Sequence, residues 1–210
     1  MAIKKRPLNP RQKMINLMYV VLMAMLALNV STEVLNGFSL VEESLHRTTD
    51  NSALQNNAIY SDFEEQMKAN PAKVKEWFEK AQQVKRMSDS LYIMADELKL
   101  AIAQEADGSD ADVHNLRNKE DLEAATQIML SPNRGKGEQL KRAIDSYRER
   151  ILTMIEDSVQ RQIIASNLST QLPKNALTMV KNWHQYMFEN MPVAAAVTLL
   201  SKLQNDVRYA

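Results

Sequence analysis

The chain has 210 residues, of which 45% are hydrophobic and 25% are charged, so it is able to fold and is not a disordered chain. It has no cysteine, which excludes disulfides, thiolate metal sites and cysteine nucleophiles. Its net charge is zero, and we therefore expect no nucleic acid among its partners.

The charge is distributed unevenly along the chain. Residues 1–13 (MAIKKRPLNPRQK) carry five basic side chains and no acidic one, whereas the rest of the chain has a small acidic excess. Residues 14–30 (MINLMYVVLMAMLALNV) follow directly, and no charge occurs from Met14 to Thr32. A basic tip before an apolar run is typical of a membrane anchor whose N-terminus stays in the cytoplasm.

The apolar run has the length of a membrane span. A bilayer core of about 30 Å needs about 20 helical residues, and Arg11 and Glu33 would lie about 33 Å apart on one continuous helix. We therefore predict a cytoplasmic basic tip at 1–13, a transmembrane helix at 14–35 in contact with the lipid bilayer, and an exported all-helical domain at 36–210. Two other interpretations stay open: a cleavable signal peptide, for which the cleavage site is poor, and a buried helix of a soluble protein.

A helical wheel places most of the polar residues of this segment on one face. At 100° per residue they fall within a sector of about 100°, and polar side chains in lipid usually face protein or water. The alternative for Arg11 and Glu33 is that their charged ends simply reach water at the two interfaces. The predicted helix-interface or proton-coupling residues are Arg11, Tyr19, Asn29, Glu33 and Asn36.

These residue types suit a proton-dependent contact. Desolvation disfavours the charged form of a carboxylate at an apolar boundary, whereas a guanidinium stays charged. Arg11 would attract a carboxylate of a neighbouring chain while that group is ionised and release it once it is protonated. We therefore predict protons as the coupling ion and no other cofactor.

Apolar residues recur at helical spacing through the rest of the chain, and strand alternation is missing, so we predict an all-α fold. Asn70-Pro71 is typical of a helix start, with Asn as the N-cap and Pro at the first helical residue. The predicted helices cover about 10–69 with a possible break at 48–57, 71–106, about 120–130, 140–163, and two further helices set off by Pro173 and Pro192, the last at 192–207.

Motifs for hydrolysis or group transfer are missing, and we predict that the chain is not an enzyme. His46, His114 and His184 are far apart in sequence and have no zinc-binding spacing. The acidic loop near Asp107 does not follow the ligand order of a calcium-binding EF-hand loop, so a solvated loop is expected. The large aromatic residues, Trp77, Phe78, Tyr147 and Trp183, are expected in the core.

Two stretches carry a resemblance to a known family. They are PRQKMINLMY at 10–19, continued by MLALNVS at 25–31 and EVL at 33–35, and ENMPVAAA at 189–196. Both closely resemble the N-terminal portion of the GldM/PorM family, inner-membrane subunits of the motor that powers type IX protein secretion and, in gliding bacteria, surface motility.

The resemblance implies a proton-motive-force-driven motor subunit with a periplasmic body. It implies a homodimer whose membrane helices lie inside a pentameric ring of a GldL/PorL-type membrane protein. Arg11 matches the membrane arginine on the cytoplasmic side of the family, and Glu33 matches the membrane glutamate on its periplasmic side. Family members continue into β-rich domains that contact the outer-membrane ring components, and we expect those contacts to need domains that this sequence does not include.

The rival prediction is a membrane-anchored periplasmic sensor or adaptor with a helical-bundle ligand domain. It would tolerate neutral residues in place of Arg11 and Glu33, whereas the motor would not. The polar face of the membrane segment favours the motor, because it calls for a partner within the membrane.

Overall fold

The computed structural model describes residues 9–28, 31–132, 135–173 and 180–210, and this part of the chain is all-helical. Two helices of nearly equal length form its long axis, and shorter helices complete a bundle around the last one. The helices are α1 (Pro10–Leu28), α2 (Thr32–Ala69), α3 (Pro71–Asp107), α4 (Ala124–Leu130), α5 (Gly137–Met154), α6 (Ser158–Asn167), α7 (Trp183–Phe188) and α8 (Val193–Tyr209).

The hydrophobic core lies between α3, α5 and α8 and is closed by the short helices. Leu98 and Ile102 of α3 meet Leu140 and Ile144 of α5 and Leu200 of α8 there, each at most 2% exposed. The apolar stripe predicted for α3 therefore faces the core in its C-terminal half. Among the described residues, no side chain of α2 belongs to this core.

Helix α8 is the central element of the bundle. Its N-terminal half contains the run Ala194–Ala196, whose small side chains are buried and let neighbouring helices approach closely. Ser88 Oγ donates to the Val207 carbonyl at 3.2 Å, and Lys99 Nζ donates to Ser201 Oγ at 3.3 Å. Because residue numbers fall along α3 as they rise along α8, these two helices are antiparallel.

The structure corrects three of the predicted helix boundaries. The expected helix over 10–69 is two helices, because Ser31 has an extended backbone (φ −65°, ψ 145°) and caps α2 with its side chain. The possible break at 48–57 is wrong, since α2 is continuous there. The helix expected over 140–163 is also two, because Asp157 accepts hydrogen bonds from two backbone N–H groups and starts α6.

The loop between α3 and α4 is largely exposed, and hydrogen bonds hold its acidic side chains. The Asp107 carboxylate accepts the backbone N–H groups of Arg117 at 2.7 Å and Asn118 at 2.8 Å. The Arg117 guanidinium in turn donates to the Asp107 carbonyl at 2.7 Å and to Asp110 at 3.0 Å. Arginine and backbone donors therefore hold these carboxylates.

The prediction that Trp77 lies in the core is wrong, since this side chain is 49% exposed and has the Lys80 ammonium over its ring.

Gly137 allows a close approach between the start of α5 and α7. A Cβ added there would lie 2.7 Å from the His184 Cβ and 2.8 Å from the Met129 carbonyl oxygen. We expect Gly137→Ala to reduce the free energy of unfolding by about 1–3 kcal/mol, because such overpacking forces the backbone to shift. Gly37 is the matched control: nothing lies within 4 Å of its added Cβ, so Gly37→Ala should stabilise α2 by roughly 0.5–1 kcal/mol. If denaturant unfolding gave the same change in the free energy of unfolding for Gly137→Ala and Gly37→Ala, the close packing at Gly137 would be contradicted.

Asp145 of α5 ties the segment after α6 to the bundle. Its carboxylate accepts hydrogen bonds from Thr170 Oγ1 at 2.6 Å and Lys141 Nζ at 2.7 Å, and Arg148 Nη2 lies 3.0 Å away. Burial by itself raises the pKa of this carboxyl, but the hydrogen bonds from Lys141 and Thr170, with the two nearby positive charges, outweigh it and leave the pKa lowered. The ionised form is thus favoured by folding.

We expect Asp145→Asn to cost about 1–2 kcal/mol of stability at pH 7, because hydrogen bonds to a charged acceptor are lost. The lowered pKa means that this contribution is complete above the ordinary carboxyl pKa of 3.8 and disappears as the pH falls through the folded-state value. Denaturant unfolding of the parent chain and Asp145→Asn at pH 7, 5 and 3 should show a difference in the free energy of unfolding that narrows only at pH 3. A difference independent of pH would contradict the role of the charge.

Candidate functional site

Helix α1 presents its apolar side chains outward. Every described side chain from Met14 to Met23 is exposed, for example Met18 at 71% and Leu22 at 55%. None of the extensive helix–helix contacts in the described part of the chain involves α1. Within the same described residues, no helix meets the length and apolarity needed to cross a membrane.

The structure separates the predicted site residues into two helices. Arg11 and Tyr19 are exposed on α1, whereas Glu33 and Asn36 are exposed on the first turns of α2. Asn29 lies outside the described residues. The helical wheel assumed one continuous helix, so the common face of the two groups is not supported once Ser31 interrupts it. A polar serine in N-cap context was the sequence signal for this break.

A polar contact joins α2 to α8, and we call it the α2–α8 seam. Only Leu35, Glu42 and Thr49 of α2 are buried, and two of these three are polar. Residue numbers rise together on both sides of the seam, so α2 and α8 run in the same direction. Its hydrogen bonds are Thr198 Oγ1 to the Phe38 carbonyl at 3.2 Å, Ser201 Oγ to Glu42 Oε1 at 3.1 Å, Asn205 Nδ2 to Thr49 Oγ1 at 3.4 Å, and Asn56 Nδ2 to the Arg208 carbonyl at 2.8 Å.

Two buried charges meet within the seam. Ser201 Oγ, which donates to Glu42, accepts from Lys99 Nζ of α3 at 3.3 Å. Glu42 is 8% exposed, Lys99 3% and Ser201 3%. One hydroxyl group therefore links an anion on α2 to a cation on α3, and the Asp96 carboxylate lies 3.5 Å from the Lys99 ammonium on the other side. We call Glu42, Ser201 and Lys99 the buried triad.

A cleft of about 660 Å³, which we call the α2 cleft, opens beside the N-terminal half of α2, between this helix, the α3–α4 loop and α8. The His46 and His114 rings meet edge to face in its wall, with centroids 4.9 Å apart. His46 Nδ1 lies 2.9 Å from the Asp50 carboxylate, and His114 Nδ1 lies 4.0 Å from Glu42. Asn36 also lines the cleft, so one predicted site residue belongs to it.

This histidine pair was not predicted, because the two residues are 68 positions apart in the sequence and only the fold brings them together. His184 lies elsewhere, 3.7 Å from Glu138 on α5. In the part of the chain that the structure describes, no group of three or more metal-ligating side chains could hold a metal ion. The buried triad was not predicted either. A signal existed for its α2 member only: Glu42 lies seven residues after Leu35 and seven before Thr49, a spacing that marks one face of a helix.

The geometry defines a class of protein: an all-helical domain in which a long helix lies along a bundle and follows a helix with an exposed apolar surface. The sequence model of the GldM N-terminal domain family matches residues 33–210, so the chain belongs to this family. Membership links the chain to gliding motility and type IX secretion. No curated protein matches the chain.

Proposed function

We propose that this chain is a subunit of a proton-motive-force-driven inner-membrane motor that energises type IX secretion and gliding motility. The N-terminus would be cytoplasmic, the apolar run that begins at Met14 and ends before α2 would lie in the membrane, and α2 with the rest of the chain would form the periplasmic body. The chain would act as a homodimer within a pentameric ring of a GldL/PorL-type protein. Its link to the outer-membrane ring components would run through domains outside this sequence. Protons would be the coupling ion, without enzymatic chemistry.

The observation that carries the proposal is the placement of α2. This helix has 38 residues, or about 57 Å at 1.5 Å per residue, and is continuous. Three residues separate it from α1, whose exposed apolar side chains suit lipid or neighbouring membrane helices. It is hydrogen-bonded along α8 from Phe38 to Asn56. A displacement delivered to the start of α2 would therefore reach the centre of the bundle through one rigid helix.

The membrane position is proposed from the charge-free run between Met14 and Thr32 and from the exposed surface of α1. Arg11 at one end of that run and Glu33 at the other are the charges that a partner carboxylate and a proton path would use. Asn36 continues the polar surface of Glu33 into the α2 cleft.

The proposal is tested by isolating the intact chain from native membranes in a mild detergent, followed by mass spectrometry of the complex. We expect two copies of the chain together with several copies of one small membrane protein with two spans. Recovery of the folded, membrane-inserted chain without such a protein would contradict the motor and favour the anchored sensor or adaptor, for which the α2 cleft would be the ligand site.

A further inference from the structure

The buried triad differs in kind from the other contacts of the α2–α8 seam. Phe38 and Arg208 contribute backbone carbonyls, and Thr49 and Asn205 contribute neutral polar groups. Since every residue has a carbonyl, such hydrogen bonds can form again after a helix shifts along its neighbour.

The Glu42 carboxylate does not have that freedom. A shift of α2 by one turn would move Glu42 about 5.4 Å along α8, away from Ser201. Lys99 would keep Ser201 and Asp96, which lie outside α2, but the Glu42 carboxylate would lose its hydrogen bond from Ser201. An unpaired buried charge is strongly destabilising, so only one axial alignment of α2 on α8 keeps Glu42 on the hydroxyl that also binds Lys99.

We propose that Glu42, Ser201 and Lys99 are positioning residues that fix the axial register of α2 on α8. This inference rests on the proposed function, since it assigns the step at which motion of the membrane segment is passed to the body. The central hydroxyl makes the arrangement a three-helix contact: α2 supplies the anion, α3 the cation and α8 the group that binds both. The register of α2 is thereby fixed on an α8 hydroxyl that the α3 cation holds in place.

The register can be separated from stability by replacing both charges together. Exchange of buried charged groups for apolar residues is often neutral or stabilising, and in some proteins such buried groups specify the alignment of helices. The double variant Glu42→Leu/Lys99→Met should therefore unfold at or above the Tm of the parent chain. Its α2 should nevertheless occupy at least two registers separated by about one helical turn, roughly 5 Å.

The measurement uses the absence of native cysteine. Leu54→Cys on α2 and Leu100→Cys on α3, which are 69% and 42% exposed, take spin labels in the full chain held in detergent micelles. Pulsed electron resonance then gives the distance distribution between the labels. We expect one narrow distance in the parent and a second population, or clear broadening, in the double variant.

The matched control is Glu76→Leu/Lys80→Met, which makes the same two substitutions at an exposed ion pair of α3, 2.7 Å apart. It should keep the single narrow distance. An unchanged narrow distance in Glu42→Leu/Lys99→Met would overturn the inference, whatever the chain does in the cell. A loosened register with normal secretion would leave the register assignment standing and contradict the motor function instead.

Discussion

Arg11→Ala and Glu33→Ala should each reduce type IX secretion and gliding by about tenfold or more, the ratio that corresponds to about 1.4 kcal/mol of lost interaction. Arg11 would lose the permanent positive charge that the proposed partner carboxylate would recognise. Glu33 would lose the carboxylate on the opposite side of the membrane segment. The measurement compares exported cargo and the speed of surface movement in cells that produce each variant at parental levels.

The body should stay folded in both variants, because Arg11 and Glu33 are exposed and lie outside the hydrophobic core. Glu33→Gln keeps the size of the side chain and separates loss of charge from loss of contact. Lys13→Ala on α1 and Glu64→Ala on α2 are exposed charge removals on the same two helices and should leave output near the parental level. Normal secretion in Arg11→Ala and Glu33→Ala would contradict the site assignment.

Phe188→Ala should lower the free energy of unfolding by about 3–5 kcal/mol, the usual cost of emptying a buried aromatic site. The Phe188 side chain is 1% exposed and meets the Trp183 ring edge to face, with centroids 6.2 Å apart. For a domain of this size, the loss corresponds to a fall in Tm of roughly 6–20 °C. Thermal unfolding followed by circular dichroism measures it.

Tyr186→Ala is the control on the same short helix. Its side chain is 42% exposed, so we expect a change within about 1 kcal/mol. If Tyr186→Ala were as damaging as Phe188→Ala, α7 itself would be the sensitive element and the buried contact with Trp183 would not explain the loss.

Local chemistry predicted the helix starts that are marked by proline, although Asn70 makes no side-chain capping hydrogen bond to α3. Asn70-Pro71 gave the start of α3, and Pro192 gave the start of α8 to within one residue. The all-α class followed from spacing alone. The boundary at Ser31 was missed because the apolar run before it and the heptad-like spacing after it both suit a helix, and the capping geometry of one serine decides between them.

The polar features of the body could not be predicted in the same way, because they depend on contacts distant in sequence. His46 and His114 meet only once the α3–α4 loop folds back onto α2. Lys99 and Glu42 each follow the inward phase of their own helix, but a charge at such a position signals a partner without naming it. Ser201 supplies that partner from α8, more than 100 residues further along the chain.

The parallel course of α2 and α8 sets how the body resists a mechanical pull. A load applied at Thr32 and held at the far end of α8 would draw the two helices past one another, along their axes. Such shear strains all four hydrogen-bonded pairs of the seam at once, whereas an antiparallel pair loaded at the same ends would peel apart one contact at a time. We therefore expect the domain to resist force best along the common axis of α2 and α8, which is the direction of a load applied at the start of α2.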